Sequence, residues 1–324
     1  MITYDRMTID STGAFMIGEL ERLDQTLHEP LVSVTWSRDI DLREDVSIAD
    51  ESSSFTNSTF AAAGGINSGG KNWIGKDSNA IPGMGLDIGK TSSPLYLWGM
   101  EVSYTIPELM SAQQLGRPVD AQKYQGMQLK YQMDIDEMVY TGDTAVGKYG
   151  LVNSTSVTTG FVAAGATTYT QWTKKTADEI LIDVNEILSA AWAAAGYAVC
   201  PSKLLLPPTN FAYLTSQKVS SAGNISILQF LEDNSIALKV NGKKLDIQPC
   251  KWCVDRGVNA GSPSAATQRM VAYSQDKNRV RFPLVPLQRT PLEYRSIFHI
   301  TTYFGKLGVV EVVYPETILY RDGI

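Results

Sequence analysis

Apolar residues along this chain follow two periods, and each predicts a different kind of element. Over 118–141, PVDAQKYQGMQLKYQMDIDEMVYT, residues Tyr124, Met127, Tyr131, Ile135 and Met138 recur at intervals of three and four, which predicts one long amphipathic helix. About 22 helical residues would span roughly 33 Å. Pro118 suits the first turn, and Gly142 supplies a stop. TADEILIDVNEILSAAWAAAG predicts a second helix, with Thr176 and Glu179 at capping-box spacing. Ile180, Val184, Ile187, Leu188 and Ala191 line one face of it, and Gly196 closes it. Shorter helices are predicted over 15–28 (FMIGELERLDQTLH, ended by Pro30), about 209–220, and 225–233 (ISILQFLED).

Elsewhere the period drops to two. LVSVTW (31–36) reads as a strand, and 37–51 as an exposed hairpin strand in which charges alternate with Ile40, Leu42, Val46 and Ile48. SPLYLWGMEVSYTIPEL (93–109) is rich in aromatic and β-branched residues. KLLLP (203–207) predicts a buried strand; KKLDIQPCKWCV, QRMVAYS and RVRFPLVPL predict short ones. The C-terminal stretch from Thr290 predicts two or three long strands returning beside the long helix. A Ser/Thr/Gly/Ala-rich connector at 153–168 marks an internal boundary, after which 173–288 reads as a compact mixed α/β domain.

Between the strands at 37–51 and 93–109 both periods lapse for about 40 residues, long for a loop in a compact domain. Residues 64–90 hold 8 of the 26 glycines, yet also carry Trp73, Ile74, Ile81, Met84, Leu86 and Ile88. Glycine makes such a stretch costly to order, and disordered linkers are normally polar or strongly charged. The combination predicts a projecting β-arm with an irregular tip, ordered against another subunit. Left alone it would expose strand edges and apolar surface.

Composition narrows the function. With 324 residues, 44% hydrophobic and 19% charged, the chain has ample core for about two domains. It carries 34 acidic against 28 basic residues and no basic run of the kind that grips nucleic acid. No apolar run approaches the roughly 20 residues of a membrane span, and the N-terminus lacks the features of a signal peptide. Three cysteines do not make a disulfide framework, which fits synthesis in a reducing cytoplasm.

No motif assembles a catalytic constellation. GMGLDIGKT (83–91) places Gly89-Lys90-Thr91 like the end of a phosphate loop, but the first glycine should stand where Met84 does. It reads as an irregular loop. Cys250-x-x-Cys253 is half of a zinc site, with only Cys200, His28 and His299 to complete it, and reads as packing. The acidic groups Glu44/Asp45 and Asp134/Asp136/Glu137 lack calcium-loop spacing. The second group crowds the end of the long helix, where the dipole disfavours acid, so cations from elsewhere are expected to neutralise it, and both groups read as a solvated or intersubunit ion-pair face. No cofactor and no metal are expected.

The order of elements resembles the major capsid proteins of tailed double-stranded-DNA bacteriophages, a fold shared with encapsulin shells. MQLKYQMDIDEMVYTGDTAVGKYGLVN (127–153) resembles the end of that family's spine helix and its "GLxN" exit. LLLPPTNFAYL (204–214) resembles a strand-to-helix step of the axial domain, and YFGKLGVVEVVYPETILYRDGI (303–324) the closing strands of the peripheral domain. The resemblance implies an α+β fold with an N-terminal arm (1–35), an extended loop (36–95), a peripheral domain (96–172 and 289–324) and an axial domain (173–288). It implies a non-enzymatic protein that builds hexamers and pentamers of an icosahedral head around DNA, assembled in the host cytoplasm and carried in the virion. An encapsulin-type compartment is the alternative. Implied partners are copies of itself, a portal, a decoration protein and, since the chain starts at its own Met without a helical leader, a separate scaffolding protein. Candidate intersubunit residues are Lys71, Trp73, Ile74 and Lys76 on the arm and Asp134, Asp136 and Glu137 on the helix. Some members crosslink an arm lysine, here Lys71, Lys76 or Lys90, to a neighbour's asparagine; 279–324 contains no asparagine, and no crosslink is expected.

Overall fold

A computed structural model describes residues 32–62, 76, 83–115, 119–219, 225–259 and 262–324. The helix predicted over 15–28 lies outside the described residues. The long helix is α3, Val119–Tyr140. Its buried stripe is Met127, Tyr131, Ile135 and Val139. Gly142 ends it at φ +67°, where an added Cβ would stand 2.6 Å from the carbonyl of Lys148. The chain then doubles back over the helix end. Leu151 N–H donates to Val139 O at 2.8 Å, Val152 N–H to Tyr140 O at 3.0 Å, and the Asn153 side chain to Thr141 O at 2.8 Å. The "GLxN" segment thus satisfies carbonyls that a helix terminus leaves open.

Two sheets flank this helix. The six-stranded sheet contains β1 (Asp41–Arg43), β4 (Tyr96–Thr105), β11 (Val280–Arg289), β12 (Glu293–Arg295), β13 (Phe298–Leu307) and β14 (Glu311–Val312). Its longest ladder is antiparallel β4–β13, from Tyr96↔Leu307 to Thr105↔Phe298. The five-stranded sheet runs β5 (Thr158–Phe161), β15 (Ile318–Asp322), β10 (Arg269–Tyr273), β6 (Lys203–Leu206), β7 (Asp246–Pro249). The 172/173 and 288/289 boundaries cut across these sheets. β5 and β15, outside 173–288, belong to the five-stranded sheet, while β11 inside it belongs to the six-stranded one.

Both faces of the central strands β6 and β10 are covered, which is why KLLL and RMVAY are buried along their whole length. Leu205, Val271, Tyr273 and Tyr320 face one core with Ile135, Val139 and Phe282. Leu204, Leu206, Met270, Ala272 and Leu319 face a second core with α4 (Ala177–Ala194). α4 carries the predicted capping box, Thr176 and Glu179 each closing the other's open N–H. Helices α5 (Pro208–Ser216), α6 (Ile227–Asn234) and α7 (Ile236–Asn241) complete this half.

Four predictions change. LVSVTW is not a strand: residues 32–35 are irregular and lead into a one-turn helix α1, Trp36–Asp39. Nor is 37–51 a hairpin strand, since only β1 is extended and it pairs in parallel with β11. Part of the stretch expected to be irregular is strand. β2 (Ser52–Ala62) and β3 (Met84–Pro94) pair over their full length, Ser52↔Pro94 to Ala62↔Met84, so GMGLDIGKT is mostly strand. α2 (Ile106–Leu115) takes over where the strand 93–109 was expected to continue.

Candidate assembly surface

β2 and β3 form a two-stranded ribbon that hydrogen-bonds to no third strand among the described residues. Eleven residues per strand correspond to roughly 37 Å of reach. Alternation along β3 puts Met84, Leu86 and Ile88 on one face, and they are 68%, 56% and 60% exposed. Gly85, Asp87 and Gly89 occupy the other. Large side chains left at this exposure in register describe a face awaiting a cover.

At its root the ribbon is gripped by charge. The Glu311 side chain on β14 is fully buried and accepts from the Ser53 hydroxyl on β2. Arg281 Nε on β11 lies 2.7 Å from Glu311, and Arg43 Nη1, at the end of β1, lies 3.2 Å from it. The same Arg43 nitrogen donates to Ser53 Oγ and Ser54 O, both at 3.0 Å. Asp45, hydrogen-bonded to Arg43 at 2.7 Å, holds that guanidinium's pKa above its ordinary value, with Glu311 adding to the effect, and its own carboxyl is correspondingly lowered. Further out, Asn57 Nδ2 donates to Val313 O at 3.3 Å. The sequence offered one signal for this knot: Glu311 is a lone acid inside the β-branched run GVVEVV.

The acids of the spine helix part company. Asp136 is buried and fully engaged within its own chain. Oδ1 accepts from Thr35 N–H (2.9 Å) and Trp36 N–H (3.1 Å); Oδ2 accepts from Trp252 Nε1 (2.7 Å) and lies 3.0 Å from Lys251 Nζ. Within the chain, the cation beside it is Lys251. Asp134 takes Trp98 Nε1 at 2.9 Å and pairs with Lys130 one turn earlier. Glu137 faces outward. Lys71, Trp73 and Ile74 lie outside the described residues, while Lys76 and Lys90 are exposed.

The remaining candidates settle into the body. Cys250 and Cys253 are free, buried thiols hydrogen-bonded to each other, and that bond together with burial pushes the Cys253 pKa up. They pack beside Tyr140 and Tyr273, whose phenols burial also raises. His299 on β13 stacks edge-on against Tyr294, with ring centroids 4.6 Å apart; His28 lies outside the described residues. No cluster of three potential metal ligands occurs among the described residues. A second exposed apolar group surrounds the β12–β13 turn: Leu292, Tyr294, Ile297 and Phe298, with Ile106 of α2, whose N–H donates to Ile297 O.

A family model described as major capsid protein matches residues 69–324. The chain belongs to the major capsid protein family. Solved structures repeat the fold along nearly the whole chain. The capsid of Myoviridae phage XM1 superposes with a TM-score of 0.74 at 16% identity, covering 95% of this chain and 98% of that one. The capsid of a native GTA particle gives 0.61 at 12%, covering 94% and 96%. A virus-like particle from Pyrococcus furiosus gives 0.52 at 12%, covering 88% and 91%. At these identities the likeness is one of fold. No curated protein sequence matches. Membership in this family makes the chain a structural protein of a capsid. No described helix is long and apolar enough to cross a membrane.

Proposed function

We propose that this capsid protein forms hexamers and pentamers of an icosahedral head that encloses double-stranded DNA. Each subunit lays its β2–β3 ribbon on a neighbour. The observation that carries this reading is the exposed row Met84, Leu86 and Ile88 on a ribbon that pairs with no third strand among the described residues. Covering such a row removes apolar surface from water at about 25 cal/mol per Å², and repetition around closed symmetry multiplies a weak contact into a stable shell. Trp73 and Ile74 at the tip anchor the same contact, flanked by Lys71 and Lys76, and Glu137 meets a basic group across a boundary. The peripheral part of the subunit centres on the six-stranded sheet and α3, and the axial part on the five-stranded sheet and α4. DNA is contained without sequence-specific binding, as the acidic balance of 34 to 28 suggests. A separate scaffolding protein, a portal and a decoration protein are the further partners, with assembly in the host cytoplasm.

The test is a chain carrying Met84→Ser, Leu86→Ser and Ile88→Ser together. The expected result is an unchanged melting temperature for the unassembled chain and no closed particles by electron microscopy. Particles at the normal yield would refute the ribbon's role. The encapsulin-type alternative uses the same fold. Nucleic acid inside purified particles supports the head, and a packaged protein cargo supports the compartment.

A further inference from the structure

We infer that Glu311 is the positioning residue of the ribbon: it sets the angle at which β2 and β3 leave the body. A two-stranded ribbon is only marginally stable alone and twists more than a wide sheet, so its direction is whatever its root enforces. The body reaches that root mainly through β2. Ser53 bonds to Glu311, Arg43 bonds to Ser53 and Ser54, and Asn57 bonds to Val313 O, while Lys306 Nζ holds Asp50 O at 2.7 Å in the turn just before. Beyond Asn57, the described side chains Ser58 and Thr59 on β2 and Met84 to Ser92 on β3 face solvent, and only Ser93 and Pro94 at the root end of β3 are half-buried. The fastening ends where the free reach begins.

Glu311 is the point at which these fastenings converge. Its buried carboxylate takes a guanidinium from β1, a second from β11 and a hydroxyl from the ribbon itself. Charge-assisted bonds of this kind are directional, and the guanidinium fork is planar. An apolar root would hold the ribbon by area and let it slide, whereas three donors on one carboxylate fix a register and an angle. Withdrawing the carboxylate would leave Arg43 and Arg281 facing each other without the acid they share.

The inference rests on the ribbon-docking reading only for its consequence in the shell; the root itself can be read on a solitary chain. The experiment compares full-length wild type, Ser53→Ala and Glu311→Gln. Hydrogen exchange of the unassembled chains is followed by mass spectrometry, and the assembled particles are then sized by electron microscopy. The expected result is exchange about tenfold faster in peptides covering 52–57 and 90–94, the scale of one lost bond to a charged group. Peptides covering 119–140 and 177–194 keep their wild-type rates, and the particle diameters spread. Root exchange equal to wild type in Ser53→Ala would overturn the inference. So would acceleration spread evenly over the body, or a loosened root with uniform particles of normal diameter. Should Glu311→Gln fail to fold, Ser53→Ala, which deletes a single hydroxyl, decides alone. Because root exchange is read before assembly, its failure is distinguishable from failure of the docking contact.

Discussion

Leu204, Leu205 and Leu206 are fully buried in the five-stranded sheet, whereas Met84, Leu86 and Ile88 on β3 are each more than half exposed. Both are rows of large aliphatic side chains on strands. In the first row, neighbours on both faces come from the same chain: α4 on one side, the spine helix on the other. In the second, nothing among the described residues covers the side chains. The same contrast holds for polar groups. The body closes its own accounts, with Lys175 on Asp183, Arg269 on Asp322, and Lys203 on Asp39. The ribbon is bound by charge only at its root. The body is a finished fold, and the ribbon is the part that the proposed docking would complete.

That difference predicts a graded response to substitution in the unassembled chain. Asp136→Ala should cost the most, about 3–5 kcal/mol in urea unfolding, because it strands a half-buried indole N–H, two backbone N–H groups and Lys251. A loss below about 1 kcal/mol would mean that water replaces the carboxylate and that the entry segment is not truly closed. Leu204→Ala should cost about 3 kcal/mol, as expected for a cavity in a core that cannot collapse; a near-neutral result would show that the α4 core is loosely packed.

A smaller effect belongs to the capping box and depends on pH. Backbone N–H groups of Ala166 and Thr176 donate to Glu179 and hold its carboxyl below its ordinary 4.5. The unfolded chain therefore takes up that proton first as pH falls. The contribution is complete above about pH 4.5 and is lost as pH drops through the lower folded value. Glu179→Gln should flatten that part of the stability profile, and an unchanged acid slope would place the slope elsewhere. Smallest of all should be Leu86→Ala, under about 0.5 kcal/mol in the same assay. Set beside Leu204→Ala, it is one substitution in two settings. A cost comparable to Leu204 would mean the ribbon folds back on its own body, ending the contrast.

The elements legible in the sequence were those whose signals are local. α3 and α4 show in their three-four periodicity, and the Thr176–Glu179 cap in its spacing. β6 was legible because burial on both faces leaves no polar residue to interrupt it. What escaped depends on partners far along the chain. The segment LVSVTW has strand-forming residues, but Asp136, a hundred positions away, captures the N–H groups of Thr35 and Trp36 and bends the chain into α1. β2 and β3 escaped because Ser, Thr and Gly dilute their alternation. Met84, Leu86 and Ile88 were visible as anomalies in a glycine-rich stretch, but which face they share required the register. Glu311 required more, since its three donors come from residues 43, 53 and 281.

One feature of the body makes the ribbon unusually easy to watch. All three thiols of the protein, at Cys200, Cys250 and Cys253, are shut inside the folded body, and the ribbon has none. A single cysteine placed at exposed Thr59 would be the lone target for a maleimide dye. The natural chain thus offers a silent background against which one fluorophore could report, subunit by subunit, the moment a growing shell closes over it.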